Sequence, residues 1–160
     1  MRASSVVCVD RDENTQHGLV MIGILILAHS RLGDALIDCA THIMGAVPPA
    51  LATLTVTAKD DPVDMLQQAQ QLVATLDTGH GVLILTDMFG ATPSNIACRL
   101  LDPGQVEGVS GVNLPMLMRA LTYRTQPLAM VASKAQTGGQ AGVLFMNEEI
   151  CNAQRTDRNH

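Results

Sequence analysis

Two apolar runs dominate the chain, Met21-Ile-Gly-Ile-Leu-Ile-Leu27 and Val82-Leu-Ile-Leu85. Neither alternates with polar residues, the pattern of strands buried on both faces of a parallel sheet. After the first run, Leu32, Leu36, Ala40 and Ile43 share one helical face, with Ser30 as the expected N-cap and Gly45 as terminator, which predicts a helix over 32–44. Pro48-Pro49 breaks it, and Leu51 to Val56 alternates as a second strand. Asp61-Pro62 supplies an N-cap and a first-position proline for a helix whose apolar positions are Val63, Leu66, Ala69, Leu72 and Leu76, ended by Gly79.

Beyond Val82–Leu85, Thr92-Pro93 predicts a third helix capped by Thr92, with Ile96, Ala97 and Leu100 inward. Val106 to Val112 reads as a fourth strand, Asn113-Leu-Pro115 opens a fourth helix, and Pro127 opens a fifth that should stop at Gly138-Gly139. Gly142 to Met146 reads as a last short strand. Regular strand–helix alternation predicts an α/β fold: a single three-layer open sheet, mostly parallel, with helices on both faces. The last strand would be antiparallel or exchanged in a dimer. The polar stretch 1–20 is expected to be an N-terminal extension that packs poorly, the domain to span 21–148, and 149–160 to be a polar tail.

Composition narrows the class. A chain of 160 residues suits one domain that buries roughly two thirds of its unfolded surface without disulfide or metal staples. Cys8, Cys39, Cys98 and Cys151 form no Cys-x-x-Cys pair and read as reduced thiols of a cytoplasmic protein. A net charge of -5, no basic run, one tyrosine and two phenylalanines argue against a nucleic-acid partner. The longest apolar stretch, 19–28, is too short to span a bilayer.

The candidate chemistry lies just past the two buried runs, where open α/β sheets gather ligands: His29 after the first, Asp87 after the second. Each has an ordinary reading, as a polar strand end or a turn residue. Their joint placement favours more. His29 precedes one helix start and Thr92-Pro93 forms another, and helix N-termini attract anions. Asp87 would accept the Nδ1 proton and leave Nε2 free to attack phosphorus. Arg31 is the nearby cation, available to a phosphate or an acidic partner surface, or merely exposed. His42 and Cys39 share a helix face without a third ligand in view, so no metal is expected. The other histidines read as solvated, and the nine methionines as core filler.

Three blocks then resemble a known family: Ile24-Leu-Ile-Leu-Ala-His-Ser30, Leu85-Thr-Asp-Met-Phe-Gly-Ala-Thr-Pro-Ser-Asn95 and Ser110-Gly-Val-Asn-Leu-Pro-Met-Leu117. They are similar to the IIA components of the mannose/fructose/sorbose class of the bacterial phosphoenolpyruvate-dependent sugar phosphotransferase system. The resemblance runs from Met21 to about Met146. It implies a phosphotransferase component in which His29 receives a phosphoryl group from the histidine-containing phosphocarrier protein and passes it to a IIB component. Asp87 would orient His29, Thr92 would hydrogen-bond the phosphate, and Ser30, Arg31, Gly90 and Ala91 would line it, with no cofactor. It also implies a homodimer in which the last strand crosses to the partner, and membrane contact only indirectly through IIC and IID components. Ala91 stands where the family usually has a second glycine, and Ser30 where glycine often follows the histidine. His29-Ser-Arg-Leu-Gly33 is also similar to dihydroxyacetone-kinase phosphotransfer subunits, although the later blocks favour the sugar type.

Three alternatives remain open at this point. A receiver-like domain would phosphorylate Asp87 itself, but receivers need an acidic pair after the first strand to hold Mg²⁺, and Ala28-His29-Ser30 stands there. A hydrolase with a serine or threonine nucleophile lacks its Gly-x-Ser-x-Gly elbow. A regulatory phosphorelay protein without transport would use the same residues for a different acceptor.

Overall fold

A computed structural model describes residues 20–149 and 151–152. Residues 1–19 and 153–160, most of the expected extension and tail, lie outside the described residues. The described chain runs β1 (Gly23–His29), α1 (Leu32–Met44), β2 (Leu51–Val56), α2 (Pro62–Leu76), β3 (Val82–Thr86), α3 (Thr92–Cys98), β4 (Val106–Ser110), α4 (Leu114–Tyr123) and α5 (Leu128–Ala141). The four strands form one sheet in the order β2-β1-β3-β4, every neighbouring pair parallel. The α/β, three-layer expectation is therefore met.

Alternate residues of β1 feed two cores. Ile24, Ile26 and Ala28 face one layer with Leu83, Leu85 and the inward sides of α1, α4 and α5. Leu25 and Leu27 face the other with Ile84, Val82 and residues of α2 and α3. Burial on both faces is why the runs show no polar alternation. The sequence chain leaves β1 toward β2 on one side and returns across it to β3 on the other, so the order reverses between β1 and β3. That reversal opens a crevice at the strands' carboxyl ends, the usual ligand site of open parallel sheets. His29 closes β1 and Asp87 follows β3 directly, one on each side of it.

Local chemistry explains several element ends. Gly45 adopts φ 78°, the left-handed conformation that ends α1, and its N–H donates to the Thr41 carbonyl at 2.9 Å. Asp61 caps α2, its carboxylate accepting from Val63 N–H at 2.7 Å and Asp64 N–H at 3.3 Å. Asn113 caps α4, accepting from Met116 N–H at 2.9 Å.

Several expectations need correction. Helix α1 is capped not by Ser30 but at Arg31, without a side-chain bond, because Ser30 sits at φ 50°. Its buried face is Gly33, Leu36 and Ala40, leaving Leu32 and Ile43 exposed. Helix α2 ends at Leu76 rather than Gly79, and Val63 is exposed while Met65 faces inward. Helix α3 begins at Thr92, so Thr92 is its first residue and not its cap. Strand β4 stops at Ser110, two residues short of Val112.

Helix α5 passes through Gly138 and Gly139 to Ala141. These glycines serve packing: a Cβ at Gly138 would lie 2.7 Å from Arg119, and one at Gly139 2.7 Å from Met116. Consequently Gly142 to Met146 adds no strand to this chain's sheet; residues 143–147 have no regular structure, and helical residues appear at 148–149 and 151–152.

Gly33 fixes how closely α1 approaches the sheet below the crevice. A Cβ there would fall 1.9 Å from Thr53 Oγ1 and 3.0 Å from Thr53 Cβ, so Gly33→Ala should destabilise the fold by about 1–3 kcal/mol through overpacking. Thr53→Ala removes the nearer obstruction and should recover part of the loss in the double variant. Denaturant titrations of the four proteins check this; additive losses would mean that the two residues do not oppose one another.

Candidate functional site

The crevice between β1 and β3 is organised by one carboxylate. Asp87 Oδ2 accepts the backbone N–H of His29 at 2.9 Å and lies 2.8 Å from His29 Nδ1, while Oδ1 accepts the N–H of Met88 at 2.8 Å. A carboxylate oxygen facing Nδ1 requires a proton on that nitrogen, which makes Nε2 of the neutral ring the lone-pair atom. The Asp87 side chain is 13% exposed and that of His29 is 44% exposed. The arrangement therefore has a covered orienting group and an accessible ring.

Burial alone would push the Asp87 carboxyl upward. The His29 amide, the His29 ring and the Met88 amide more than offset it, so its pKa lies below the ordinary value of 3.8.

The remaining sequence-selected residues fall at the same rim, in unequal roles. Ser30 is exposed and its N–H donates to the Val56 carbonyl at 3.2 Å. The Arg31 side chain is 88% exposed, and its Nε approaches Asp34 only to 4.0 Å, a surface pair worth little. Gly90 adopts φ 85°. Its N–H is already taken by Ser94 Oγ at 2.9 Å, so that amide is not free for an anion. The Ala91 N–H reaches the Met88 carbonyl only at 3.5 Å, the limit of a hydrogen bond. Thr92 is exposed, and its hydroxyl has no hydrogen-bond partner among the described residues.

Sequence reasoning missed Ser94. Its hydroxyl also donates to the Ala91 carbonyl at 2.9 Å, and the residue is 3% exposed. The available signal was a hydroxyl at the third position of a helix whose N-cap, Ala91, has no side-chain acceptor. Among the described residues no group of three or more histidine, cysteine, aspartate or glutamate side chains gathers to hold a metal, and Cys39 and His42 acquire no third ligand. No helix of the described residues is long and apolar enough to cross a membrane. The chemistry this geometry supports is nucleophilic attack by Nε2 with a carboxylate behind the ring.

Comparison with known proteins gives the family. Residues 23–137 match the family model EIIA-man, described as PTS system fructose IIA component. The chain is similar to the PTS system mannose-specific EIIAB component of Escherichia coli K12, with 29% identity over 121 residues that cover 73% of this chain and 37% of that protein. It is also 31% identical over 106 residues to the PTS system fructose-specific EIIA component of Bacillus subtilis, covering 65% of this chain and 71% of that one. Among solved structures, the phosphotransferase system component EIIA from Streptococcus agalactiae superposes with a TM-score of 0.70 at 27% identity, covering 78% of this chain and 97% of that one. The PTS IIA protein associated with the fucose utilization operon of Streptococcus pneumoniae gives 0.65 at 25% identity, with coverages of 79% and 93%. The match thus spans little more than a third of the length of the E. coli relative.

The pH dependence of stability follows from Asp87. With its folded pKa depressed, the ionised carboxylate contributes stability that is fully present above the unfolded value, and this is lost as pH falls through the still lower folded value. At neutral pH, Asp87→Asn should be less stable than the native chain by about 1–2 kcal/mol. The gap should close as pH drops below 3.8. Denaturation curves of both proteins across that interval measure it; a gap independent of pH would mean that the charge is not what the three N–H groups stabilise.

Proposed function

The chain belongs to the family described as PTS system fructose IIA component, and on that footing we propose that it is a phosphocarrier whose acceptor atom is Nε2 of His29. Membership supports a role in phosphoryl transfer within the sugar phosphotransferase system. The carrying observation is the 2.8 Å contact between His29 Nδ1 and Asp87 Oδ2 on an otherwise accessible ring.

In the proposed reaction the Nε2 lone pair attacks the phosphorus of a phosphohistidine on the donor, the histidine-containing phosphocarrier protein. The new N–P bond forms as the donor's N–P bond breaks, and the donor imidazole leaves with that electron pair. The Nδ1 proton stays against Asp87, whose charge offsets the positive character the ring acquires. Transfer onward to a IIB component reverses these roles. The first-turn amides of α1 and the Thr92 hydroxyl meet the phosphoryl oxygens, with Arg31 as the flanking cation. Asp87 is a poorer acceptor, since both of its oxygens are engaged, which disfavours the receiver-like alternative.

Incubation with phosphoenolpyruvate, enzyme I and the phosphocarrier should load one acid-labile, alkali-stable phosphoryl group per chain. His29→Ala should fold and take up none. Asp87→Asn should accept phosphate more slowly by on the order of 10² or more. Stoichiometric labelling of His29→Ala, or an alkali-labile phosphate, would refute the assignment.

We extend the proposal to a homodimer. Val143, Leu144, Phe145 and Met146 are 76%, 60%, 86% and 77% exposed, Val143 lines a depression with Val109 and Ser110 of β4, and apart from a bridge between Val106 and Asp102 that strand is paired on one side only. An apolar segment beside an open strand edge favours pairing with a second copy. Sedimentation equilibrium should give twice the chain mass, falling to the monomer mass when Leu144 and Phe145 are both changed to lysine. A monomeric native chain would remove this part of the proposal.

A further inference from the structure

We propose that Ser94 is a positioning residue of the transfer site: it ties the Gly90–Ala91 loop to the first turn of α3, and so holds Thr92, between them, where its hydroxyl can meet a phosphoryl group. The inference rests on the phosphotransfer reading above. A helix start normally satisfies its first amides with a side-chain oxygen at the N-cap. Here the N-cap is Ala91, which has none. The buried Ser94 hydroxyl instead accepts from Gly90 N–H and donates to the Ala91 carbonyl, both at 2.9 Å. Neither bond satisfies a first-turn amide of α3; both tie the helix's third residue back to the loop before it.

Both bonds of Ser94 end in the segment between Asp87 and α3. A hydroxyl at a buried position is costly unless partnered, so the loop conformation that satisfies Ser94 is favoured over its alternatives. That conformation includes the left-handed Gly90. The other buried residues of α3, Pro93, Ile96 and Ala97, are apolar or lack a side-chain polar group. Had Thr92 been the N-cap, its Oγ1 would have been engaged with an amide of the helix. At the first helical position it is exposed and unpartnered among the described residues. One residue secures the loop while another remains free for the ligand.

The test measures single-turnover transfer from purified phospho-carrier at increasing donor concentration for the native chain, Ser94→Ala, Thr92→Val and the double variant. Ser94→Ala should lower the saturating rate roughly tenfold, with little change in the half-saturating donor concentration. In the Thr92→Val background the same substitution should have a much smaller effect, because the hydroxyl it positions is gone. Ser94→Thr, which keeps the hydroxyl, should restore most of the rate. Thr122→Ala, which removes only a bond to the Met118 carbonyl on α4, should leave the rate unchanged.

Amide exchange at Gly90 should quicken in Ser94→Ala. A serine with a purely structural role would lower the melting temperature and leave the saturating rate of the folded protein untouched. That result, or an equal effect of Ser94→Ala in both backgrounds, overturns the proposal. Failure of the native chain to accept phosphate would overturn the phosphotransfer reading itself, whereas native acceptance with an unaffected Ser94→Ala overturns only this one.

Discussion

A single oxygen, Oδ2 of Asp87, holds both the backbone amide and the ring of His29. The backbone bond ties the end of β1 to the residue after β3, so the two sides of the crevice cannot separate without losing it. The ring bond then fixes the tautomer on the same anchor. Because the two bonds share one acceptor, the position of the His29 ring and its tautomer are set together. Rigidity comes from below: the central strands are fully buried and parallel, and a sheet so enclosed holds its strand ends in fixed register.

The depressed pKa of Asp87 is a consequence of this geometry. Burial works against a charged carboxylate, and only three N–H donors converging on two oxygens reverse the balance. An aspartate that merely formed a turn would lack the first strand's amide and ring as donors.

Much of this was legible in the sequence. Uninterrupted apolar runs gave β1 and β3, the 32–44 periodicity gave α1 with its bounds, and the rule that chemistry follows strand ends brought His29 and Asp87 together. What was not legible depended on contacts between elements. Gly138 and Gly139 read as a stop, yet they sit inside α5 because α4 needs their missing Cβ atoms. Leu32, Ile43 and Val63 fit the helical period and remain exposed, because periodicity does not say which of two adjacent stripes meets the sheet. Ser30 and Thr92 have capping chemistry but occupy the wrong backbone positions, and Ser94 was overlooked because its role lies in reaching back.

Electrostatics at the rim fits a relay better than a trap. The chain carries a net charge of -5, and Arg31, two residues after His29, is almost fully exposed with Asp34 nearby. Solvent screens such a charge, so a phosphoryl group on Nε2 would be held chiefly by backbone dipoles, each contributing a fraction of what a buried cation would. Gly90 withdraws one of those amides by donating to Ser94. In the proposed phosphocarrier, donor and acceptor are both protein side chains of similar transfer potential, and a deep electrostatic well at the intermediate would slow the second step as much as it aided the first. In that proposal a covered carboxylate that orients the ring, with few positive charges to detain the phosphate, would keep both steps open.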